Sequence, residues 1–147
     1  MSSISLQYHY NLTDRAIHCI ATTPAEPDQE LCRCKVDYDK NGWAISAWYT
    51  NKDYLGQGIG SKVLKHTLRK LYKHTGRPEH IQYIWNGTNE YVGDWIKHHF
   101  DAVSLCPMAI QKTQSDDDWS SHVYELNPDK VFKYFHLDCT HQLNYEY

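Results

Sequence analysis

The sequence predicts an α/β fold of the α+β kind, in which short strands are combined with two amphipathic helices. Three observations support this prediction. Apolar and polar residues alternate in several short runs, as expected of half-buried strands. Asn41 and Gly42 are a strong hairpin signal, because a type I′ turn needs positive φ at both central residues. A glycine-rich stretch, residues 55–61, joins one strand pattern to a helix pattern.

The first half of the chain is expected to form four strands. Alternation from Ile4 to Tyr10 predicts the first strand. The next segment, Arg15 to Thr22, fits either a return strand or a short helix. Leu31–Tyr38 and Trp43–Thr50 flank the predicted hairpin. Strict alternation would place the odd-numbered side chains from Trp43 to Tyr49 on one face of the sheet.

The second half is expected to contain two helices and three further strands. Leu64, Leu68 and Leu71 recur at helical spacing, which predicts a helix that ends near His74. The other expected elements are a strand at Ile81–Trp85, a helix from Glu90 to about His99, strands at Ala102–Lys112 and Ser121–Leu126, and a turn at Asn127–Lys130 that leads into Val131–Leu137.

The glycine-rich stretch predicts a phosphate-binding loop. Gly56, Gly58 and Gly60 can adopt positive φ and let the backbone approach a ligand closely. The unpaired N–H groups and positive dipole end of the helix that follows favour an anion. The loop is neither a Walker A sequence nor a dinucleotide fingerprint, because it lacks Gly-Lys-Ser/Thr and Gly-x-Gly-x-x-Gly.

Residues 49–61 resemble the acyl-CoA-binding motif of the GCN5-related N-acetyltransferase (GNAT) superfamily. The segment 84–100 resembles the strand–Asn–helix–Phe unit of the same family. The resemblance implies that main-chain amides of the loop bind the CoA pyrophosphate, and that the end of the preceding strand pairs with the pantetheine arm. The coenzyme-binding residues implied in this way are Tyr49, Thr50, Gln57, Gly58, Ile59, Gly60, Ser61 and Asn89.

Two positions depart from the pattern of the family. Leu55 stands where the family prefers Arg or Gln. Ile96 stands seven residues after Asn89, where the family often carries a Tyr that protonates the departing thiolate. Tyr91, which lies on the same predicted helix more than a turn earlier, is the candidate to replace that catalytic acid.

The resemblance also implies an architecture for the whole chain. It implies a mixed central sheet of about seven strands with the acyl-CoA N-acyltransferase topology. The N-terminal helical region is expected to be shortened, because Pro24 and Pro27 interrupt the short stretch where the family has two helices. An extra C-terminal strand or tail is expected. We therefore interpret residues 1–147 as one domain, with a core at 1–126 and an extension at 127–147.

Bulk composition limits the possible partners. The formal net charge of −3 argues against direct binding to nucleic acid. No apolar run approaches the roughly 20 residues of a membrane helix, so no membrane partner is expected. Five cysteines without a signal sequence predict reduced thiols and a cytoplasmic location. Cys32-x-Cys34 with Cys139-x-His141 has unfavourable zinc spacing, so no metal is expected.

These observations lead to two hypotheses about function. The first is an acyl-CoA-dependent N-acyltransferase that moves an acetyl group from acetyl-CoA to an amine of a small molecule, an aminoacyl group or a protein. Its candidate general bases are Asp37, Glu79 and His80. The alternative is a catalytically weak or silent GNAT-fold binding module, such as an antitoxin or immunity protein. Its protein partner would bind the aromatic C-terminal segment or the Asp116–Asp118 loop.

Overall fold

The computed structural model describes the backbone of residues 5–40, 42–85, 90–104 and 122–137, and all of their side chains except those of residues 85, 90, 91 and 122. The chain divides into two compact units, residues 1–77 and 78–147. The described residues form seven strands and three α-helices. The α+β class predicted from the sequence is therefore confirmed, and the division into core and extension stays a prediction.

The first unit is a four-stranded antiparallel sheet with one long helix. Adjacent strands pair in chain order, so the unit is a simple meander. A short 3₁₀ turn, Lys52–Tyr54, lies between the last strand and the helix. The elements are β1 (Gln7–Leu12), β2 (Ala16–Thr22), β3 (Cys32–Asp39), β4 (Gly42–Thr50) and α1 (Ile59–Thr75).

The segment after β1 returns at once as β2, which decides between the two sequence alternatives in favour of a strand. The Thr13 N–H donates to the Ala16 carbonyl over 2.8 Å and closes the turn. No helix lies between these strands, so the predicted shortening of the N-terminal helical region is confirmed. Gly42 has φ of 100°, a value that suits glycine in the tight β3–β4 turn.

A β-bulge interrupts the pairing of β3 with β4. Lys35 faces Ala47 while its neighbour Val36 faces Ile45, so Ser46 is the extra residue. Directly opposed residues of an antiparallel pair share a face. The prediction that Ile45 and Ala47 lie on one face is therefore wrong, because the bulge reverses the phase of the strand between them.

Helix α1 covers one face of this sheet. Its apolar residues recur every three or four positions and contact β2, β3 and β4. It ends at Gly76, whose φ of 81° few other residues adopt, and whose N–H donates to the Tyr72 carbonyl over 2.8 Å. The buried residues of α1 are Ile59, Val63, Leu64, Thr67, Leu68 and Leu71.

The described part of the second unit combines three strands with two helices. Strand β7 pairs antiparallel with both β5 and β6, and α2 contacts α3. Of the strand predicted at Ala102–Lys112, the described part forms only β6, and residues 105–112 lie outside the description. The elements are β5 (Ile81–Trp85), α2 (Glu90–Phe100), β6 (Val103–Ser104), β7 (His122–Leu126) and α3 (Pro128–Tyr134).

Of the two expectations for the C-terminal extension, a strand or a tail, the strand is wrong for the described residues, because this segment is helix α3. Residues 138–147, where a tail would lie, are outside the described residues. The Asn127 side chain accepts hydrogen bonds from the N–H groups of Asp129 (2.9 Å) and Lys130 (3.3 Å). Pro128 occupies the first turn, where its missing N–H costs nothing. Val131 and Phe132 are fully buried. Among the described residues, every helix is too short or too polar to traverse a lipid bilayer.

Candidate functional site

The chain leaves β4 through an exposed loop that ends in the N-terminus of α1. The Asn51 side chain accepts a hydrogen bond from the Asp53 N–H over 2.9 Å and stabilises the 3₁₀ turn. Gly56 and Gly58 follow with φ of 82° and 76°, and a Cβ added at either would meet no atom within 4 Å. The loop therefore adopts a conformation that glycine favours and has open space beside it.

The first backbone amides of α1 are available to a ligand. The first helical hydrogen bond runs from the Lys62 N–H to the Gly58 carbonyl over 3.2 Å. Within the described part of the chain, no acceptor is found for the N–H groups of Gly58, Ile59, Gly60 and Ser61. No acidic side chain occupies the first turn. These amides and the helix dipole together form a site suited to an anion.

Trp48 holds the start of α1 against β4. Its indole Nε1 donates to the Gly60 carbonyl over 3.0 Å. A Cβ at Gly60 would lie 3.1 Å from Thr50 Oγ1 and 3.5 Å from Trp48 Nε1, so only glycine fits this contact without displacement. Tyr49 points the other way and is 55% exposed. Sequence reasoning missed Trp48 as the residue that positions the loop.

A second polar cluster lies at the bulge of β4. The Ser46 hydroxyl is 2.5 Å from an Asp37 carboxylate oxygen, and it donates to that oxygen. Lys35 Nζ lies 3.7 Å from the other carboxylate oxygen. Asp37 is the cross-strand partner of Ala44, so the two side chains lie on the same face of the sheet and the carboxylate is next to β4. Of the three candidate general bases, Asp37 is the one that lies in the same unit as the loop.

The other predicted site residues belong to the second unit. Asn89 lies outside the described residues, as does the side chain of Tyr91, which belongs to α2. Ile96 is buried, with 1% of its surface exposed. Glu79 is exposed, and His80 Nδ1 lies 3.4 Å from a Glu125 carboxylate oxygen. The assignment of Asn89 and Tyr91 therefore stays a prediction.

The cysteines of the first unit are free, buried thiols. Burial raises the pKa of Cys19 and of Cys32 to about 11, and it also raises the pKa of Cys34. They are therefore protonated and unreactive at neutral pH. Among the described residues, no group of three or more His, Cys, Asp or Glu is arranged to hold a metal ion. Cys139 and His141 lie outside the described residues.

A strand that ends in a glycine loop, followed by a helix whose first amides have no acceptor within the described residues, is an arrangement that suits the phosphates of a nucleotide or coenzyme. The sequence model of the acetyltransferase (GNAT) family matches residues 7–91, which is more than half of the chain and includes this site. The chain belongs to the GNAT acetyltransferase family. Among curated protein sequences, none is similar enough to count as a match.

Solved structures have the same fold. The PaiA N-acetyltransferase of Thermoplasma acidophilum, solved with coenzyme A, is 15% identical with a TM-score of 0.52, over 77% of this chain and 61% of that one. An acetyltransferase of Bacillus anthracis, solved with acetyl coenzyme A, is 15% identical with a TM-score of 0.54, over 80% and 65%. A GNAT-family acetyltransferase of Staphylococcus aureus is 14% identical with a TM-score of 0.56, over 77% and 68%.

The chain spans less than two thirds of the first two of these proteins. At such low identities the likeness shows the fold, which is that of the acyl-CoA N-acyltransferases. Family and fold together support acyl-CoA N-acyltransferase activity as a general class.

Proposed function

We propose that this protein binds acetyl-CoA at the β4–α1 loop and transfers its acetyl group to an amine. The observation that carries the proposal is the set of amides from Gly58 to Ser61 that lack an acceptor within the described residues. They fit a diphosphate, because they lie at the positive end of a 17-residue helix behind an exposed loop. We assign Tyr49 and Thr50, at the end of β4, to contacts with the pantetheine arm.

The chemistry requires a proton acceptor for the amine, a hydrogen-bond donor for the carbonyl oxygen, and a proton donor for the CoA thiolate that leaves when the thioester C–S bond breaks, for which Tyr91 stays the predicted candidate. Acetyl-CoA, when bound, supplies an acyl group activated as a thioester. A bulge leaves its extra residue outside the strand ladder, so we assign the donor to the Ser46 N–H. We assign the proton acceptor to Asp37, whose carboxylate the Ser46 hydroxyl orients.

The binding step is tested by titrating the protein with acetyl-CoA while its thermal unfolding is followed. A ligand at 100 times its dissociation constant should stabilise the fold by about 2.7 kcal/mol. Gly58→Ala should abolish this stabilisation, because the methyl group would enter the open space beside the amides.

The matched control is Gly76→Ala, at the other end of α1. Gly76 has φ of 81° and open space around it, like Gly58 with 76°, so its replacement strains the backbone at least as much. Gly76→Ala should unfold at a lower temperature yet keep the full stabilisation by acetyl-CoA. Equal stabilisation of both variants, or none of the unaltered protein, would contradict the proposed site.

The chemical step is tested by release of the CoA thiol in the presence of amines such as spermidine or a lysine peptide. Asp37→Asn should lower turnover by about 10²–10⁴-fold and leave acetyl-CoA binding intact. Asp39→Asn removes a charge two residues along the same strand and should have little effect. If both variants turn over at the rate of the unaltered protein, Asp37 is not the proton acceptor.

One observation favours the alternative, a catalytically silent member of the fold that binds another protein. Ile96 is buried at the position of the thiolate acid, so this position cannot protonate a leaving group. Loss of such an acid costs about 10²–10⁴-fold in rate. Acetyl-CoA binding without detectable thiol release, for every amine tried, would support this alternative.

A further inference from the structure

The cation beside the proposed proton acceptor is itself a primary amine. Lys35 Nζ lies 3.7 Å from Asp37 Oδ1, and the two side chains are 43% and 39% exposed. An exposed ion pair of this kind contributes little to stability. Stability therefore gives no reason for Asp37 to be paired with an amine, which is the group that the proposed reaction acetylates.

The register of the sheet keeps Lys35 next to the bulge of β4. Its cross-strand partner there is Ala47, so the two side chains lie on the same face, which is also the face of Asp37. The Ser46 hydroxyl, which donates to Asp37, lies 3.4 Å from the Lys35 carbonyl oxygen. The amine, its proton acceptor and the N–H assigned to the thioester carbonyl thus belong to three residues that are close neighbours in β3 and β4.

The other charged groups on this face leave the Lys35 amine to Asp37. His18, the partner of Lys35 in β2, has its pKa lowered by burial and then by Arg33 and Lys35, so it is largely uncharged at neutral pH. Arg33 donates two hydrogen bonds to Glu30, over 2.6 and 3.0 Å. Within the described part of the chain, Asp37 is the carboxylate that pairs with Lys35.

We propose that Lys35 is acetylated by the acetyl-CoA bound to its own chain. The inference rests on the proposed function, because the Lys35 amine uses the groups assigned to that reaction. The Lys35 ammonium gives one proton to the Asp37 carboxylate, and the neutral nitrogen attacks the thioester carbon. The C–N bond forms, the C–S bond breaks, and the nitrogen loses a second proton. Since the leaving thiolate takes up one proton, the products are acetylated Lys35, the CoA thiol and one free proton.

The second unit contains a matched control for this lysine. Lys130 Nζ lies at the same distance, 3.7 Å, from Asp101 Oδ2, and these side chains are 55% and 56% exposed. Acetyl-CoA that reacts from solution, without a binding site, should therefore modify Lys130 at least as fast as Lys35. A preference for Lys35 requires a thioester that is held beside it.

The test incubates the protein with acetyl-CoA and no added amine, and follows both lysines by peptide mass spectrometry. Lys35 should become acetylated well before Lys130, and release of the CoA thiol should stop after a single turnover. The fraction modified at a given time should not depend on protein concentration, because the reaction occurs within one chain. Asp37→Asn should slow the acetylation of Lys35 by about 10²–10⁴-fold.

Two further measurements separate the amine from its surroundings. Lys35→Arg keeps a positive charge beside Asp37 but removes the primary amine, so thiol release without an added amine should disappear. Lys130→Arg is the control and should leave that release unchanged. A readout that needs no turnover uses CoA itself, which should shield Lys35, but not Lys130, from reductive methylation.

Equal acetylation of the two lysines, a modified fraction that rises with protein concentration, or no shielding of Lys35 by CoA would overturn the inference. Thiol release with added spermidine while Lys35 stays unmodified would also overturn it, but would leave the proposed function intact. No thiol release with or without an added amine would refute the proposed function, and the acetylation of Lys35 with it.

Discussion

Trp48→Phe tests whether the indole positions the start of α1. The substitution removes the hydrogen bond from Nε1 to the Gly60 carbonyl, which spans 3.0 Å. The net contribution of such a bond is about 1 kcal/mol. The smaller ring also loses roughly 40 Å² of buried apolar surface, or about 1 kcal/mol. We therefore expect the free energy of unfolding to fall by about 2 kcal/mol, which lowers Tm by roughly 6 °C.

The assay compares urea unfolding and acetyl-CoA titration for Trp48→Phe and Trp43→Phe. Trp43 lies at the other end of β4, is 7% exposed and packs on the Tyr38 ring with centroids 5.2 Å apart. Its replacement should cost similar stability but leave acetyl-CoA affinity unchanged. Trp48→Phe should weaken that affinity, because the amides of the loop lose their support. Unchanged stability of Trp48→Phe, or equal affinity of both variants, would refute the reasoning.

Three further predictions concern other parts of the molecule. Ser61→Glu should raise the free energy of unfolding by about 0.5 kcal/mol through the helix dipole and weaken acetyl-CoA binding by repulsion; a calorimetric titration that shows unchanged affinity would contradict it. Asn127→Ala should lower the free energy of unfolding by about 1 kcal/mol, since it removes the cap of α3; urea unfolding measures this. Burial is the chief cause that lowers the pKa of His66. At pH values below about 6.5, the ordinary pKa of His, the unfolded chain therefore binds more protons than the folded protein. Stability should therefore fall as pH is lowered from 7 to 5.5, and His66→Gln should show a smaller fall in the same urea series.

Much of the first unit could be predicted from the sequence because local signals agreed with the fold. Leucines at helical spacing predicted α1, and Asn41-Gly42 predicted the β3–β4 hairpin. Strand β5 was predicted with its observed bounds, Ile81–Trp85. For Arg15 to Thr22, the sequence left both a return strand and a short helix open. The strand forms because it pairs with β3, and such long-range pairing cannot be read from local periodicity.

Helix α3 shows a signal that was present in the sequence but was interpreted as a turn. Asn127 followed by Pro128 is a typical helix start, with a capping side chain and a proline in the first turn. The helix has only seven residues, and such a length is too short to show clear periodicity. The Asn127 cap was therefore the sequence signal that indicated a helix.

The candidate site was predictable only in its glycine loop. The cluster of Ser46, Asp37 and Lys35 depends on the register between β3 and β4, and so does the contact from Trp48 to Gly60. Register across a bulge is a property of two strands together, so one strand's alternation cannot reveal it. The residues that support the loop were missed for this physical reason.

The single supernumerary residue in β4 has a consequence for sequence variation. Deletion of Ser46 would restore an unbroken ladder and turn Trp48 to the opposite side of the sheet, away from α1. The strand would also end about 3.3 Å earlier, which would pull the exit of the chain away from the helix. Insertions and deletions between Ile45 and Ala47 should therefore be far less tolerable than conservative exchanges at the same positions.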